Sequence, residues 1–393
     1  MNVAHSVYLH IPFCQKRCSY CDFNTYSGLN HLIPAYVHLL GKEISYYGNK
    51  FSYGLPVKSI FFGGGTPSLI EGDLFRFLMD ELSKNFDILS DAEISLEANP
   101  GTVTLEYLKS LIDIGFNRIS FGLQTSNPTH LALMGRIHDH YQSIQAIHWA
   151  KQAGFTNINL DLIYGLPGQS LDEWKKTLED GLRLTTQHFS LYALGIEEGT
   201  ALHDWVGKGL VENPDPDLAA EMYELADRLL VADGFECYEI SNYFLSDKNI
   251  DYRCQHNLQY WRNQPYLGLG AGAHGYVDDM RYENVRVISE YINLIKNADI
   301  DYFSKSPVVK SEIENDKFTA MQETMMLGLR LVSEGVSIHE FTHRFQVSPL
   351  EVFAKEIKYL EENHLIEIYQ QEIIRLSKNG RLLGNQVFYH FVN

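Results

Sequence analysis

Tyr8-Leu-His-Ile-Pro-Phe-Cys14-Gln-Lys-Arg-Cys18-Ser-Tyr-Cys21-Asp-Phe23 is the stretch on which the reading of this chain turns. It holds three of the five cysteines. Thiolates spaced C-x3-C-x2-C can each take one iron of a [4Fe–4S] cluster, and a cluster held by protein alone needs a fourth thiolate. None follows nearby, because position 23 is Phe23. One iron is therefore left open, and an open metal position is where binding or chemistry takes place. Zinc is the competing metal. It usually takes paired C-x2-C units plus two further N or S ligands, and only His10 is near, within a strand-like run.

The 393 residues predict two or three domains. A hydrophobic content of 45% is that of a packed globular protein. No apolar run reaches membrane-spanning length, and Met1-Asn-Val-Ala-His lacks the plan of a signal peptide. A cytoplasmic location is expected, where a reducing medium keeps thiols free for metal. The formal charge of −18 argues against nucleic acid as a partner and against direct binding to an anionic membrane.

Working outward, short apolar runs alternate with amphipathic stretches up to about residue 240. The runs Val7–Phe13, Ser59–Phe62, Glu93–Ala98, Arg118–Leu123, Asn157–Tyr164 and Phe189–Leu194 read as strands. Leu69–Asn85, Leu105–Ile114, Tyr141–Gly154 and Leu171–Leu184 read as the helices between them. Thr104 is placed to cap one helix, and Gly115 and Gly154 to end two. This alternation predicts βαβ units and a parallel sheet. Polar residues fall at or near strand ends: Gly63-Gly64-Gly65-Thr66, Glu97, Gln124 and Asp161. The carboxyl ends of parallel strands converge on one face, so these residues and the cysteine loop should share one site.

Residues 246–309 break the alternation and carry Cys254-Gln-His256-Asn-Leu-Gln-Tyr260-Trp261 and Gly268-Leu-Gly-Ala-Gly-Ala-His274-Gly. From 310 to 393 helices are expected over Phe318–Glu334, Ile338–Phe345 and Pro349–Asn363, with strand-like runs Leu365–Tyr369, Ile373–Leu376 and Val387–Phe391. Three helices and a small hairpin predict a winged-helix-like α+β domain. Its nine Lys and Arg against twelve Asp and Glu argue against a DNA-reading role. The expected domains are thus 1–245, a connecting segment 246–309, and 310–393.

The cysteine triplet, with Tyr20 ahead of its last member, resembles the signature of the radical S-adenosylmethionine (SAM) superfamily. Tyr8-x-His-Ile-Pro-Phe-Cys14 narrows the resemblance to the oxygen-independent coproporphyrinogen oxidase-like branch. Phe62-Gly-Gly-Gly-Thr-Pro67, Glu97-Ala-Asn-Pro100, Arg118-Ile-Ser-Phe-Gly-Leu-Gln124, Asp161-Leu-Ile-Tyr-Gly-Leu-Pro167 and His256-Asn-x-x-Tyr-Trp261 agree with it. The dehydrogenases of the branch carry a cysteine where this chain has Phe23, and a longer arm ahead of the triplet. Cys21-Asp-Phe-Asn and the His256 box instead look like the heme chaperone group, HemW.

The resemblance implies an α/β fold with a partial (β/α)6 TIM-like barrel. It implies Cys14, Cys18 and Cys21 as ligands of a [4Fe–4S] cluster whose fourth iron is chelated by SAM. It also implies Tyr8, Tyr20, Gly64, Gly65, Thr66, Glu97, Gln124, Arg136 and Asp161 as SAM-binding positions. Heme would be the cargo and apo-hemoproteins its recipients, within porphyrin metabolism. His256 is the first heme-ligand candidate, with His274 and Cys254 behind it. The same motifs fit a coproporphyrinogen III dehydrogenase, or a radical SAM enzyme on another substrate. A homodimer and peripheral membrane association through recipients are compatible with the chain. Gly270-x-Gly272-x-x-Gly275 lacks the helix a dinucleotide site needs, and His339-Glu-Phe-Thr-His343 lacks a third zinc ligand.

Overall fold

The computed structural model describes residues 5–51, 54–298 and 306–392. Six strands follow one another in the first half: β1 (His5–Ile11), β2 (Pro56–Gly64), β3 (Asp87–Ala98), β4 (Arg118–Gln124), β5 (Asn157–Tyr164) and β6 (His188–Ala193). Each pairs with the next in parallel. The connections carry helices α1 (Ile33–Lys50), α2 (Gly72–Asn85), α3 (Leu105–Ile114), α4 (His140–Ala153) and α5 (Leu171–Arg183). A parallel neighbour can be reached only by a crossover, and the crossovers lay helices over the sheet. β4 shows the result, with all seven of its residues buried. Capping is as the sequence predicts for α3: the Thr104 side chain accepts from Tyr107 N, and Gly115 closes the helix in the left-handed region. Gly154 closes α4 likewise, and Ser170 and Glu173 form a capping box on α5. The fold is α/β, a partial (β/α)6 barrel.

The sheet continues past both ends of this set. β7 (Phe235–Glu239) and β8 (Asn242–Leu245) extend it beyond β6. β9 (Tyr266–Leu269) pairs in parallel with β1, and β10 (His274–Val277), β11 (Met280–Asn284) and β12 (Val309–Glu314) complete a twelve-stranded sheet. The segment expected to connect domains therefore supplies three strands, together with the helix Gln255–Trp261.

A second apolar core, separate from the one around the sheet, lies between residues 320 and 391. It joins the helices Lys317–Gly328, Ile338–Phe345 and Ala354–Glu362 to a three-stranded sheet of β13 (Val336–Ser337), β14 (Ile366–Tyr369) and β15 (Ile373–Leu376). This is the winged-helix-like arrangement. Val387–Phe391 is not a strand. It belongs to the helix Gly384–Val392, whose Val387, Phe388 and Phe391 share one buried face against Lys317–Gly328.

Glu43 on α1 ties the later strands to the barrel. Its carboxylate accepts from Gly270 N (2.8 Å), Asn284 Nδ2 (3.0 Å) and Tyr291 OH (2.7 Å). Burial raises its pKa from 4.5 to about 7, against the lowering by those three donors. Between these pH values the native state holds a proton that the unfolded chain has released, so stability falls as pH rises toward 7 and levels off above it. In urea melts of the cluster-free chain, Glu43→Ala should cost roughly 2–4 kcal/mol by leaving three donors unpaired, and should flatten the pH 5–7 slope. An unchanged slope would rule Glu43 out as its source.

Candidate functional site

Backbone contacts position the cysteine loop. Past β1, Phe13–Cys14 pair in parallel with Tyr26–Ser27, and Tyr26 N donates to Pro12 O (2.7 Å). From the end of β2, Gly65 N donates to Ile11 O and Thr66 N to Phe13 O, both at 2.8 Å. Gly65 has no room for a side chain: a Cβ would stand 2.6 Å from Phe13 O. The middle of the loop is held by Ser19, whose N donates to Met134 O (3.0 Å), whose Oγ donates to Leu133 O (2.8 Å), and whose carbonyl accepts from Leu202 N (2.8 Å).

All three cysteines are free thiols, Cys14 buried and the other two half-buried. Each has a polar partner. Thr66 Oγ1 donates to Cys14 Sγ (3.5 Å), Arg136 Nη1 to Cys18 Sγ (3.6 Å), and Thr25 Oγ1 lies 3.9 Å from Cys21 Sγ. Burial pushes the Cys14 and Cys21 thiols up in pKa, with the hydrogen bonds from Thr66 and Thr25 acting against it and the neighbouring thiols adding to it. Such thiols become thiolates when a cation binds them. Among the described residues no three His, Cys, Asp or Glu side chains converge on one ion. A cluster does not require that, because each iron takes one thiolate.

The polar strand-end residues line the barrel interior. Glu97 accepts from Gly64 N (3.0 Å), which sits in the left-handed region at φ 112°. Burial raises the Glu97 carboxyl to about 7, and Asp161 raises it further. Asp161 accepts from Ser120 Oγ (2.7 Å) and Asn159 Nδ2 (2.8 Å), and burial raises it as well. Arg136 Nη2 donates to Gly122 O (2.8 Å), so its guanidinium bridges β4 and Cys18. Gln124 is a non-glycine residue at φ 68°, and its buried Oε1 has no hydrogen-bond partner, nor has Arg136 Nε. Strained backbone and orphaned buried polar atoms at one mouth suit a ligand that supplies both donors and acceptors, as SAM does. Tyr8 OH is 2.9 Å from His10 Nδ1. A cavity of about 530 Å³ runs from Tyr8, Gly64 and Glu97 past the cysteine loop to Tyr260, Tyr266 and His274.

His256 is not in that cavity wall. It is 1% exposed, stacked on Phe61, with Nδ1 3.0 Å from Ser59 Oγ and Nε2 2.8 Å from Tyr260 OH. Burial holds its pKa down at about 3, with Arg118 and Lys58 adding to the effect. Both ring nitrogens are committed within the protein. Cys254 is buried too and directs its thiol at Glu93 Oε1 (3.6 Å). Glu93 also accepts from Gln255 N (3.0 Å) and His256 N (3.2 Å), which fastens the helix Gln255–Trp261 to β3. Glu93 and its neighbour Arg118, 3.8 Å away, form an anchor that sequence reasoning missed, since no local pattern links residue 93 to residue 255. The glycines at 270–275 serve packing: a Cβ on Gly270 would lie 2.5 Å from Tyr36 OH. His339 and His343 lie on the helix Ile338–Phe345 of the C-terminal core, far along the chain from the cysteine loop.

Comparison with known proteins gives the same outline. A family described as the radical SAM superfamily matches residues 8–181, and the HemN C-terminal domain matches 316–383. The heme chaperone HemW of Bacillus subtilis is 36% identical over 98% of this chain and 99% of its own length. That of Lactococcus lactis is 35% identical over 99% and 97%. The coproporphyrinogen III oxidase of Escherichia coli superimposes with a TM-score of 0.84 over 99% of this chain and 90% of its own, at 23% identity, a likeness of fold.

Arg136→Met removes both hydrogen bonds of the bridge to Cys18. It should destabilise the chain by roughly 1–3 kcal/mol and lower the iron retained per chain after reconstitution and desalting. Wild-type iron retention in that variant would contradict the bridging role.

Proposed function

Since the chain belongs to the HemW family, within the radical SAM superfamily, we propose that it is a heme chaperone. It binds heme, carries a [4Fe–4S] cluster with SAM, and hands heme to apo-hemoproteins. The observation that carries this reading is the cysteine loop itself. Three free thiols, each with its own polar partner, stand at the mouth of the barrel beside a cavity, and Phe23 occupies the position where the dehydrogenases of the branch have cysteine.

Cys14, Cys18 and Cys21 would hold three irons. Bound there, the cluster supplies an electron donor with one iron free for the amino and carboxylate groups of SAM. The chain's own residues do the rest. Gly64, Gly65 and Thr66 bring backbone close to the methionyl part. Arg136 balances the charge of Cys18 and offers Nε to a carboxylate. Gln124 Oε1 is free to accept from an amine. Glu97 and Asp161 are placed to accept from ribose hydroxyls, Tyr8 lines the cavity, and Tyr20 lies beside Arg136. We assign residues 1–245 to the radical SAM core, 246–309 to the strands that extend its sheet beyond β1 and to the His256 box, and 310–393 to the accessory domain. We place the protein in the cytoplasm, where its thiols stay reduced. No helix among the described residues is long and apolar enough to cross a membrane. We assign any membrane association to the recipient hemoproteins.

The test is anaerobic reconstitution, heme titration, and transfer to a heme-depleted hemoprotein. A Soret band in the chaperone and regained activity in the recipient are expected. Cys14→Ser, Cys18→Ser and Cys21→Ser combined should abolish the cluster absorbance and leave a folded chain. Conversion of coproporphyrinogen III to protoporphyrinogen in the presence of SAM would overturn a chaperone-only function.

A further inference from the structure

Heme asks three things of a site: an axial ligand, flat apolar walls, and cations for its two propionates. Two cavities are large enough to weigh. One, of about 510 Å³, lies between the ends of β5 and β6 and the C-terminal domain, and its walls include Arg330 and Arg381. It contains no His, Cys or Met. The other is the 530 Å³ cavity beside the cysteine loop, whose lining includes His10 and His274.

His10 is committed, with Nδ1 2.9 Å from Tyr8 OH and Nε2 2.9 Å from Asn24 O. Burial also holds its pKa down at about 4. His274 differs. It is the first residue of β10 and is exposed, and its ring makes no hydrogen bond among the described residues. Tyr260 and Tyr266 form one wall, packed edge to face with centroids 4.5 Å apart. Phe23 lies at the lip, 62% exposed, an apolar ring in want of a cover. Arg17 and Arg286 reach the same cavity; Arg17 Nη2 donates to Cys21 O (3.1 Å), and neither guanidinium has a carboxylate partner among the described residues.

One residue holds this rim together. Asn24 Nδ2 donates to Ala271 O and Arg286 O, both at 3.0 Å, while its carbonyl accepts from His10. The turn before His274 is thereby fixed to the cysteine loop.

We propose that His274 is the axial ligand of heme in this cavity, with Tyr260 and Tyr266 against the macrocycle and Arg17 and Arg286 on the propionates. This rests on the heme-chaperone reading. It assigns His256 a positioning role: the imidazole orients Tyr260 and does not touch iron.

The experiment is titration of the full-length, reconstituted protein with ferric heme, read by the Soret band and by electron paramagnetic resonance. His274→Ala should shift the Soret band, abolish the histidine-ligated iron signal and weaken affinity by about tenfold or more. Added imidazole should restore the signal. His256→Ala should keep the wild-type spectrum while lowering the melting temperature. Arg17→Ala with Arg286→Ala should weaken affinity without changing the ligand signature. His274 is exposed, so a wild-type circular dichroism melt is expected for its variant. A wild-type spectrum in His274→Ala, or loss of the signal in His256→Ala alone, overturns the ligand assignment and leaves heme binding standing. No Soret band in the wild-type protein overturns the chaperone reading and this assignment with it.

Discussion

The structure depends on a backbone contact between the end of β2 and the chain that leads into Cys14. The amides of Gly65 and Thr66 donate to the carbonyls of Ile11 and Phe13, each at 2.8 Å. Two strands come this close only because Gly65 has no side chain. The contact then sets everything beyond it. Cys14 falls within reach of Thr66, the loop returns through Tyr26, and Ser19 is tied to the segment that carries Arg136. A parallel sheet offers its carboxyl ends as a rim, and the cysteine loop is fastened to that rim at several points along its length.

Inside the rim the barrel holds buried ionisable groups. Glu97 and Asp161 are desolvated, Asp161 adds to the rise of Glu97, and the half-buried Arg136 keeps a buried Nε unpaired. A folded chain retains such groups where a ligand completes their bonding. Burial of such groups thereby favours a ligand bearing an amine, a carboxylate and hydroxyls. The aromatic, solvent-facing cavity beside it offers another chemistry, suited to a large flat ligand. Tyr8, Gly64 and Glu97 line the same cavity as Tyr260, Tyr266 and His274, so a ligand at one end bears on a ligand at the other.

Much of this was legible from sequence because it is local. The short apolar runs and amphipathic stretches located β1 to β6, with β3 beginning six residues ahead of its expected run, and the caps at Thr104, Gly115 and Gly154 were found at their expected positions. What escaped was long-range. Glu43 meets residues more than two hundred positions away, and Glu93 fastens a helix 162 positions on. The strands β9 to β11 are short and interrupted by Gly270 and Gly272, and they read as a connection until the sheet shows where they pair. Val387–Phe391 is apolar enough to suggest a strand, and only packing against a neighbouring helix decides the matter. His256 carries the family motif, but no local pattern shows that its ring is buried with both nitrogens hydrogen-bonded to Ser59 and Tyr260.

The central claim is that three thiolates on one loop leave a single iron open to SAM. Mössbauer spectroscopy of protein reconstituted with isotope-enriched iron tests it most directly. One quarter of the iron signal should change its isomer shift and quadrupole splitting when SAM is added, while the rest stays as it was. A spectrum unmoved by SAM, with all irons equivalent, would contradict the account.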